Sequence, residues 1–444
     1  MNEEYAEYCA RHGQPDRIEL MLCDINAVLR GKWLPGDAFG KLEAGAVRLP
    51  YSTYAPAIMG NEVEASGLGI VVGDPDGVLV GVPGTLRPVP WMPGNVAQVQ
   101  VEMLTPEGGP SPISSREILK AMLERYAARG WHPVVATELE FYILRPREKA
   151  DDAPRPPKRT PPAQNYDLEV VGRQEAILTE ILAACRVQGL ETDTLIAEYG
   201  PGQFEVNFHH TGDVLVAAET ALLFRRLVRG VVARHEMEAT FMAKPYADAP
   251  GNGMHAHCSV LDADGGNIFT PAGEGVSETL RHAVGGVLDT MADLQAVFAP
   301  HMNSYRRFQP KSFAPSSPDW GMDNRAAGIR LPQTTGPAAR LEHRISGADV
   351  NPYLVLTAIL GGILHGLDTE ADVPLPIDHP EAVPAQPLGH DWFDAVERFV
   401  VSDVAAEIFG AEFRGVFGAV KGDEIQTLTG MITPVEYRYY LSRL

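Results

Sequence analysis

The apolar and polar positions along the chain fall into two regions of different texture. Ile18 to Leu22 alternates as a strand does, and Gly69-Ile70-Val71-Val72-Gly73 is a second short apolar run bounded by glycine. Val96 to Val101 resumes the alternation after Pro88 to Pro93, whose prolines exclude a helix. A turn-rich stretch from Thr105 to Pro112 marks the expected boundary between a small α+β unit, residues 1–105, and a larger one, residues 106–444. The larger unit opens on an expected helix. Ser114 and Glu117 have capping-box spacing, Ile118, Leu119, Met122, Leu123 and Tyr126 form one stripe, and Gly130 ends it. Arg145 to Pro162, with six prolines among charged residues, reads as an exposed or disordered loop. The longest apolar stretch, Asn351 to Leu367, is shorter than the roughly 20 residues a bilayer requires and reads as a buried core helix.

Four further strands share an unusual plan. Side chains at i and i+2 point to one face of a strand, so Val134 to Leu144 sets Glu138 and Glu140 together and turns Leu139, Phe141 and Ile143 to the core. Phe204 to Phe208 groups Glu205 with Asn207, Met254 to Val260 groups His255, His257 and Ser259, and Arg340 to Ile345 groups Arg340, Glu342 and Arg344. One such strand is ordinarily a solvated face. Four of them on a shared sheet would bring carboxylates together that repel unless a cation lies between them. Glu138, Glu140, Glu198, Glu205 and Glu342 with one or two histidines suit Mg²⁺ or Mn²⁺ better than Zn²⁺. Arginines alternating beside them suit the charge that spreads over phosphoryl oxygens. The residues alone therefore point to metal-dependent phosphoryl transfer and leave the substrate open.

Composition narrows the partners. With 58 acidic and 37 basic residues the formal net charge is −21, which argues against a nucleic-acid partner. Cys9, Cys23, Cys185 and Cys258 lie far apart with no CxxC pair, the pattern of reduced thiols in a cytoplasmic protein. No basic and apolar leader follows Met1, so neither secretion nor a membrane partner is expected.

Read in order, six stretches resemble the glutamine synthetase superfamily: Glu138-Leu139-Glu140; Glu198 to Glu205 (EYGPGQFE); Lys244-Pro245 with Gly253 to His257 (GMHAH); Asn303 to Arg307 (NSYRR); Asn324-Arg325 through Arg330; and Arg340 to Arg344 (RLEHR) leading into Asn351-Pro352-Tyr353. The resemblance implies an α+β fold, with an N-terminal β-grasp-like domain and a larger catalytic domain whose curved antiparallel sheet is flanked by helices. It implies rings of six, usually stacked as dodecamers, with each site between neighbouring subunits. One metal would be held by Glu140, Glu198 and Glu205, and another by Glu138, His255 and Glu342. Arg307 and Arg344 would hold the glutamate carboxylates, with His255 and the backbone at Gly251 beside them. Arg325, Arg330 and Arg340 would face the ATP phosphates, with His257 and Ser259 by the nucleotide. Arg307, Arg325 and Glu342 would then be the groups closest to the chemistry. The implied reaction phosphorylates the γ-carboxylate of glutamate with ATP and lets an amine displace the phosphate.

Two departures bear on that amine. Glutamine synthetases proper carry a flap glutamate, in a motif resembling Pro-Gly-Tyr-Glu-Ala-Pro, that serves ammonium; here the stretch is Pro310 to Pro315 (PKSFAP), with Phe313 at that position. Their N-terminal Asp-Gly-Ser-Ser motif is not visible, and Pro250 replaces an asparagine expected before the glycine-rich Met-His turn. The loop from Asp368 to Pro380 also lacks the tyrosine that is adenylylated in regulated members. An apolar Phe313 suits the methylenes of an alkylamine. Likeness to glutamate–putrescine ligases at Asp24 to Pro35, Gly60 to Gly69, Ala243 to Tyr246 and Asn303 to Pro310 points to polyamines, putrescine first. Glu62, Glu64, Tyr51 and Tyr54 are candidates for the distal ammonium, each more readily read as an ordinary surface or packing residue. The adjacent His209 and His210 point apart and do not read as a metal pair, and His132, His301 and His365 read as structural. An ammonia-using glutamine synthetase and a non-catalytic member of the superfamily remain the alternatives.

Overall fold

The structure, a computed structural model, describes residues 1–309 and 312–444. Its N-terminal part is built on a six-stranded mixed sheet: β1 (Arg17–Cys23), β2 (Leu29–Pro35), β3 (Arg48–Pro50), β4 (Asp76–Gly81), β5 (Arg87–Pro88) and β6 (Val96–Met103). β1 and β6 run parallel at its centre, with β2 on one side and β4 and β3 on the other. The alternation in β1 and β6 is therefore real, although both are buried on nearly every residue. The glycine-bounded run at residues 69–73 forms no strand. It is a short 3₁₀ turn, Ile70–Val72, whose three apolar side chains are exposed; glycine at both ends supplies positive φ, at +86° and +81°, and closes the turn too tightly for strand pairing.

The second sheet has eight strands: β7 (His132–Leu144), β8 (Thr192–Ala197), β9 (Gln203–Phe208), β10 (Glu238–Thr240), β11 (Met254–Leu261), β12 (Trp320–Met322), β13 (Ile329–Gln333) and β14 (Arg340–His343). Their order is β12-β13-β14-β11-β7-β9-β8, with β10 on the far end of β7. The sheet is antiparallel except at one edge, where β12 and β13 run parallel. Helices Ser115–Ala127, Val214–Arg234, Glu278–Met291 and Pro352–Thr369 pack against one another and against this sheet. Ser114 caps the first of them, accepting from the backbone NH of Glu117, and the stripe expected there is buried apart from a half-covered Leu123.

Among the described residues only Pro352–Thr369 is long and apolar enough to cross a membrane, and it lies in the core. Its glycines explain how it fits. A Cβ on Gly366 would stand 2.0 Å from the carbonyl oxygen of His282, so this helix and Glu278–Met291 meet backbone to backbone. The proline-rich segment 145–162 is irregular but ordered, tied by Arg147 to Glu238 and by Arg145 to the carbonyl of Pro156.

Burial at the junction of the two sheets leaves a pH signature. Glu102, at the end of β6, accepts from the Ser114 hydroxyl at 2.5 Å, and burial, opposed by that bond, pushes its carboxyl up to about 7. The folded chain then binds more protons than the unfolded one between the ordinary glutamate value and about pH 7, so stability falls as pH rises through that window. Glu102→Gln should remove on the order of 3 kcal/mol of this fall, read as the difference in denaturant unfolding between pH 5 and pH 8. An unchanged pH dependence would contradict it.

Candidate active site

The sheet register assembles the charged faces predicted from the sequence. His255 on β11 lies opposite Glu138 on β7, Glu140 lies opposite Glu205 on β9, and Glu342 on β14 lies opposite both His257 on β11 and Arg330 on β13. Cross-strand neighbours of this kind stand about 5 Å apart at Cβ, and here the charged heads meet. His255 donates through Nδ1 to Glu138 Oε2 at 3.0 Å, and His257 donates through Nε2 to Glu138 Oε1 at 3.0 Å. Arg340 Nε donates to Nδ1 of His257 at 3.3 Å. Arg330 and Arg344 both bind the buried Glu342 carboxylate, Arg330 at 2.7 Å.

Among the described residues three groups of donors have ligand atoms within 4.8 Å of one another: Glu140, Glu198 and Glu205; Glu138, Glu205 and His255; and Glu138, His257 and Glu342. The first matches one metal set expected from the sequence. The second set expected, Glu138, His255 and Glu342, is present as neighbours, with His255 Nδ1 3.9 Å from Glu342 Oε1, but Glu205 and His257 lie as close to Glu138. Neither His209 nor His210 enters such a group among the described residues.

The electrostatics divide this cluster in two. Glu140 is pushed up to about 7 by burial and by neighbouring Glu198, and burial with Glu138 and Glu140 raises Glu205 well above the carboxylate range. Glu138 goes the other way: burial acts against it, yet its bonds from His255 and His257 hold it far below its ordinary value.

Two cavities open on either side. The first, about 480 Å³, is lined by Glu140, Glu198, Glu205, His255, Arg307, Arg325 and Arg344 with Gly251. The second, about 650 Å³, is lined by Glu138, His257, Ser259, Arg330 and Arg340 with Asn207 and His210. Arg325 thus stands in the first cavity, towards Glu198, while Arg330 and Arg340 line the second. Gly251 is required by sterics: a Cβ there would meet the carbonyl oxygen of Ala243 at 2.4 Å and Cγ of Arg307 at 2.7 Å. Arg307 is buried and donates to the carbonyl of Ile345 at 2.8 Å.

Pro310 and Lys311 of the expected flap lie outside the described residues, but Ser312 to Pro315 line the first cavity. Phe313 is 69% exposed there and packs on Tyr199, ring centroids 5.0 Å apart. Tyr166, which sequence reasoning passed over, lines the same mouth and is also exposed. Phe313 and Tyr166 have φ of 59° and 66°, a conformation bulky side chains rarely adopt. The only sequence signal for Tyr166 was its place after the proline-rich segment. Tyr51 and Tyr54 are not available to a ligand: both are buried, bonded to Ser111 and to the backbone of Met103. Glu62 and Glu64 are exposed, and Glu62 accepts from the backbone NH of Ile70.

Comparison with known proteins agrees with this geometry. The family described as glutamine synthetase, catalytic domain, matches residues 112–440. The γ-glutamylputrescine synthetase of Escherichia coli (strain K12) is 36% identical over 99% of this chain and 94% of its own length. The γ-glutamylethanolamide synthetase of Streptomyces coelicolor is 33% identical over 82% of this chain and 78% of its own. A solved GmaS without ligand superposes with a TM-score of 0.86 at 29% identity, covering 98% of this chain and 99% of that one. With its α+β fold, its row of acidic and basic side chains across the sheet and a match over most of its length, this chain belongs to the glutamine synthetase family.

Proposed function

We propose that this protein is an ATP-dependent ligase that joins the γ-carboxylate of glutamate to an amine other than ammonia, with a diamine such as putrescine as the preferred acceptor. The carrying observation is the contact of the Phe313 and Tyr199 rings, tilted by 39°, at the mouth of the cavity that holds Arg307 and Arg344. An apolar, aromatic mouth accommodates methylenes and offers ring faces to an ammonium. The likeness to a γ-glutamylputrescine synthetase supports the same acceptor class.

The donor set fits hard divalent ions. It is carboxylate oxygens with imidazole nitrogen, and burial together with neighbouring carboxylates raises Glu140 and Glu205. Glu140, Glu198 and Glu205 would hold one Mg²⁺ or Mn²⁺, and Glu138, His255 and Glu342 another. Such ions, when bound, neutralise charge on phosphoryl oxygens.

Placement supports the remaining roles. Arg330, Arg340, His257 and Ser259 would orient ATP in the second cavity. Arg307, Arg344 and the backbone at Gly251 would fix the glutamate in the first, presenting its γ-carboxylate towards the acidic cluster. That carboxylate attacks the terminal phosphorus and ADP leaves, which turns a poor acyl donor into an acyl phosphate. The amine then attacks the acyl carbon, phosphate leaves, and Arg325 is placed to stabilise the carbonyl oxygen as it gains charge. A division at residues 105/106, a cytoplasmic location and a homo-oligomeric ring of six or twelve complete the proposal. The ring is supported by the exposed apolar side chains at Ile70–Val72 and at Ile432, Val435 and Leu441 near the C-terminus.

The test is glutamate- and Mg²⁺-dependent phosphate release from ATP with ammonium, methylamine, ethanolamine, putrescine and spermidine. Diamines are expected to give the highest kcat/KM; ammonium winning would make the chain an ammonia-using glutamine synthetase. Phe313→Glu should lower kcat/KM for putrescine roughly tenfold, the worth of a few desolvated methylenes, and shift preference towards ammonium. An unchanged amine profile would remove Phe313 from the pocket.

A further inference from the structure

Gln164 follows the proline-rich segment and is 4% exposed, although Asn165 and Tyr166 beside it are exposed at the mouth of the first cavity. Its side chain turns to one place, the turn between β8 and β9 that carries Glu198 and Tyr199. Oε1 accepts from the backbone NH of Gly202 at 2.8 Å, and Nε2 donates to the carbonyls of Gln203 at 2.9 Å and Glu198 at 3.2 Å. One amide thus uses both its donors and its acceptor on three backbone groups. The main chain continues the contact: the NH of Gln164 donates to the carbonyl of Tyr199 at 3.1 Å, and that of Tyr166 to the carbonyl of Ala197 at 2.9 Å.

The segment held in this way is strained. Asn165 and Tyr166 have φ of 37° and 66°, two successive residues with side chains in the left-handed region. Such a pair persists only where its surroundings fix it, and the bonds to residues 197–203 supply that. The same turn places Glu198, proposed above as a metal ligand, and Tyr199, whose ring meets Phe313. We propose, resting on the ligase reading above, that Gln164 is a positioning residue for acceptor choice: its buried amide locks the Tyr166 turn to the Glu198 turn, so that the aromatic mouth for an alkyl diamine and the first metal set keep one register. Gln164 lines neither cavity and acts through Tyr166, Tyr199 and Glu198. Arg307 and Arg344 are held elsewhere, by the carbonyl of Ile345 and by Glu342, so glutamate binding lies outside this coupling.

The test is Gln164→Met in the full chain, which keeps the length of the side chain and removes the amide. Mn²⁺ binding is measured without substrates, from the EPR signal of the free ion, and KM and kcat are measured for putrescine and methylamine at saturating glutamate and Mg-ATP. Mn²⁺ affinity at the site containing Glu198 is expected to fall about tenfold, the lower end of what an outer partner of a metal ligand is worth. KM for putrescine should rise by a similar factor, more than kcat falls and more than KM for methylamine rises, because the longer amine spans more of the mouth. KM for glutamate should stay as it is. Should Gln164→Met not fold, judged by its melting temperature, Gln164→Asn is read in its place; it keeps an amide but draws it back from the two carbonyls. Equal Mn²⁺ affinity in variant and wild type, or a loss of kcat with every KM unchanged, would overturn the proposal. A wild-type chain that used no alkylamine would overturn the ligase reading and the selectivity proposed here with it, and unequal Mn²⁺ affinity would then mark Gln164 as a metal-site residue only.

Discussion

Glu138→Ala is expected to abolish glutamate-dependent ATP turnover, by at least about a hundredfold, while the chain stays folded. Glu138 belongs to two of the three donor groups and accepts from both His255 and His257, so one substitution removes a carboxylate from the centre of the row. A bound divalent ion contributes several kcal/mol to phosphoryl transfer, and each 1.4 kcal/mol or so is a factor of ten in rate. Two effects on stability oppose each other: removal relieves the repulsion that pushes the Glu205 carboxyl upwards, and it takes away the acceptor shared by His255 and His257. Turnover is measured as phosphate release and folding as the metal-free melting temperature. Near-normal turnover would refute the metal assignment; loss of folding would mean Glu138 organises the sheet.

The largest stability effect is expected far from this row. Lys421 and Glu424 lie one turn apart in the helix Ala411–Thr429, both fully buried, with their heads 2.9 Å apart. Glu424 also accepts from Asn26 Nδ2 at 2.9 Å and from the backbone NH of Ile58 at 2.7 Å, and Lys421 donates to Asn26 Oδ1. The helix Ala411–Thr429 is thereby bonded to the turn between β1 and β2 and to the loop at Ile58, groups more than 350 positions away in sequence. Lys421→Met leaves a buried carboxylate without its cation and should cost about 3–5 kcal/mol. Lys421→Met with Glu424→Leu should recover much of that loss, because the unpaired charge goes with it. Denaturant unfolding of the two variants separates a charge effect from a packing effect; equal losses would favour packing.

The row of charged side chains was legible because strand periodicity is local. In β7, β9, β11 and β14 the alternation alone assigns Glu138, Glu205, His255 and Glu342 to one face, and the pairing register then aligns them. Arg325 was not legible in the same way. It sits in a turn before β13, where two-residue periodicity says nothing about direction, and it faces the first cavity. Ile70 to Val72 misled for a related reason: three apolar residues in a row satisfy a strand as well as an exposed turn, and the flanking glycines decide it. Tyr51 and Tyr54 drew attention as aromatic candidates, but their rings fill the N-terminal core. Tyr166 and the Asn26–Lys421–Glu424 contact depend on long-range packing that no window of sequence contains.

The division of labour between strands and loops has a practical consequence. Groups proposed for phosphoryl transfer project largely from paired strands, whereas Tyr166, Tyr199 and Phe313 sit on connecting segments at the mouth. Substrate range can therefore drift, or be redirected in the laboratory, by randomising those three positions while the sheet is left untouched. A library built there samples new acceptors at little risk to the activation step. The positive φ at positions 166 and 313 makes glycine and asparagine the first replacements to include.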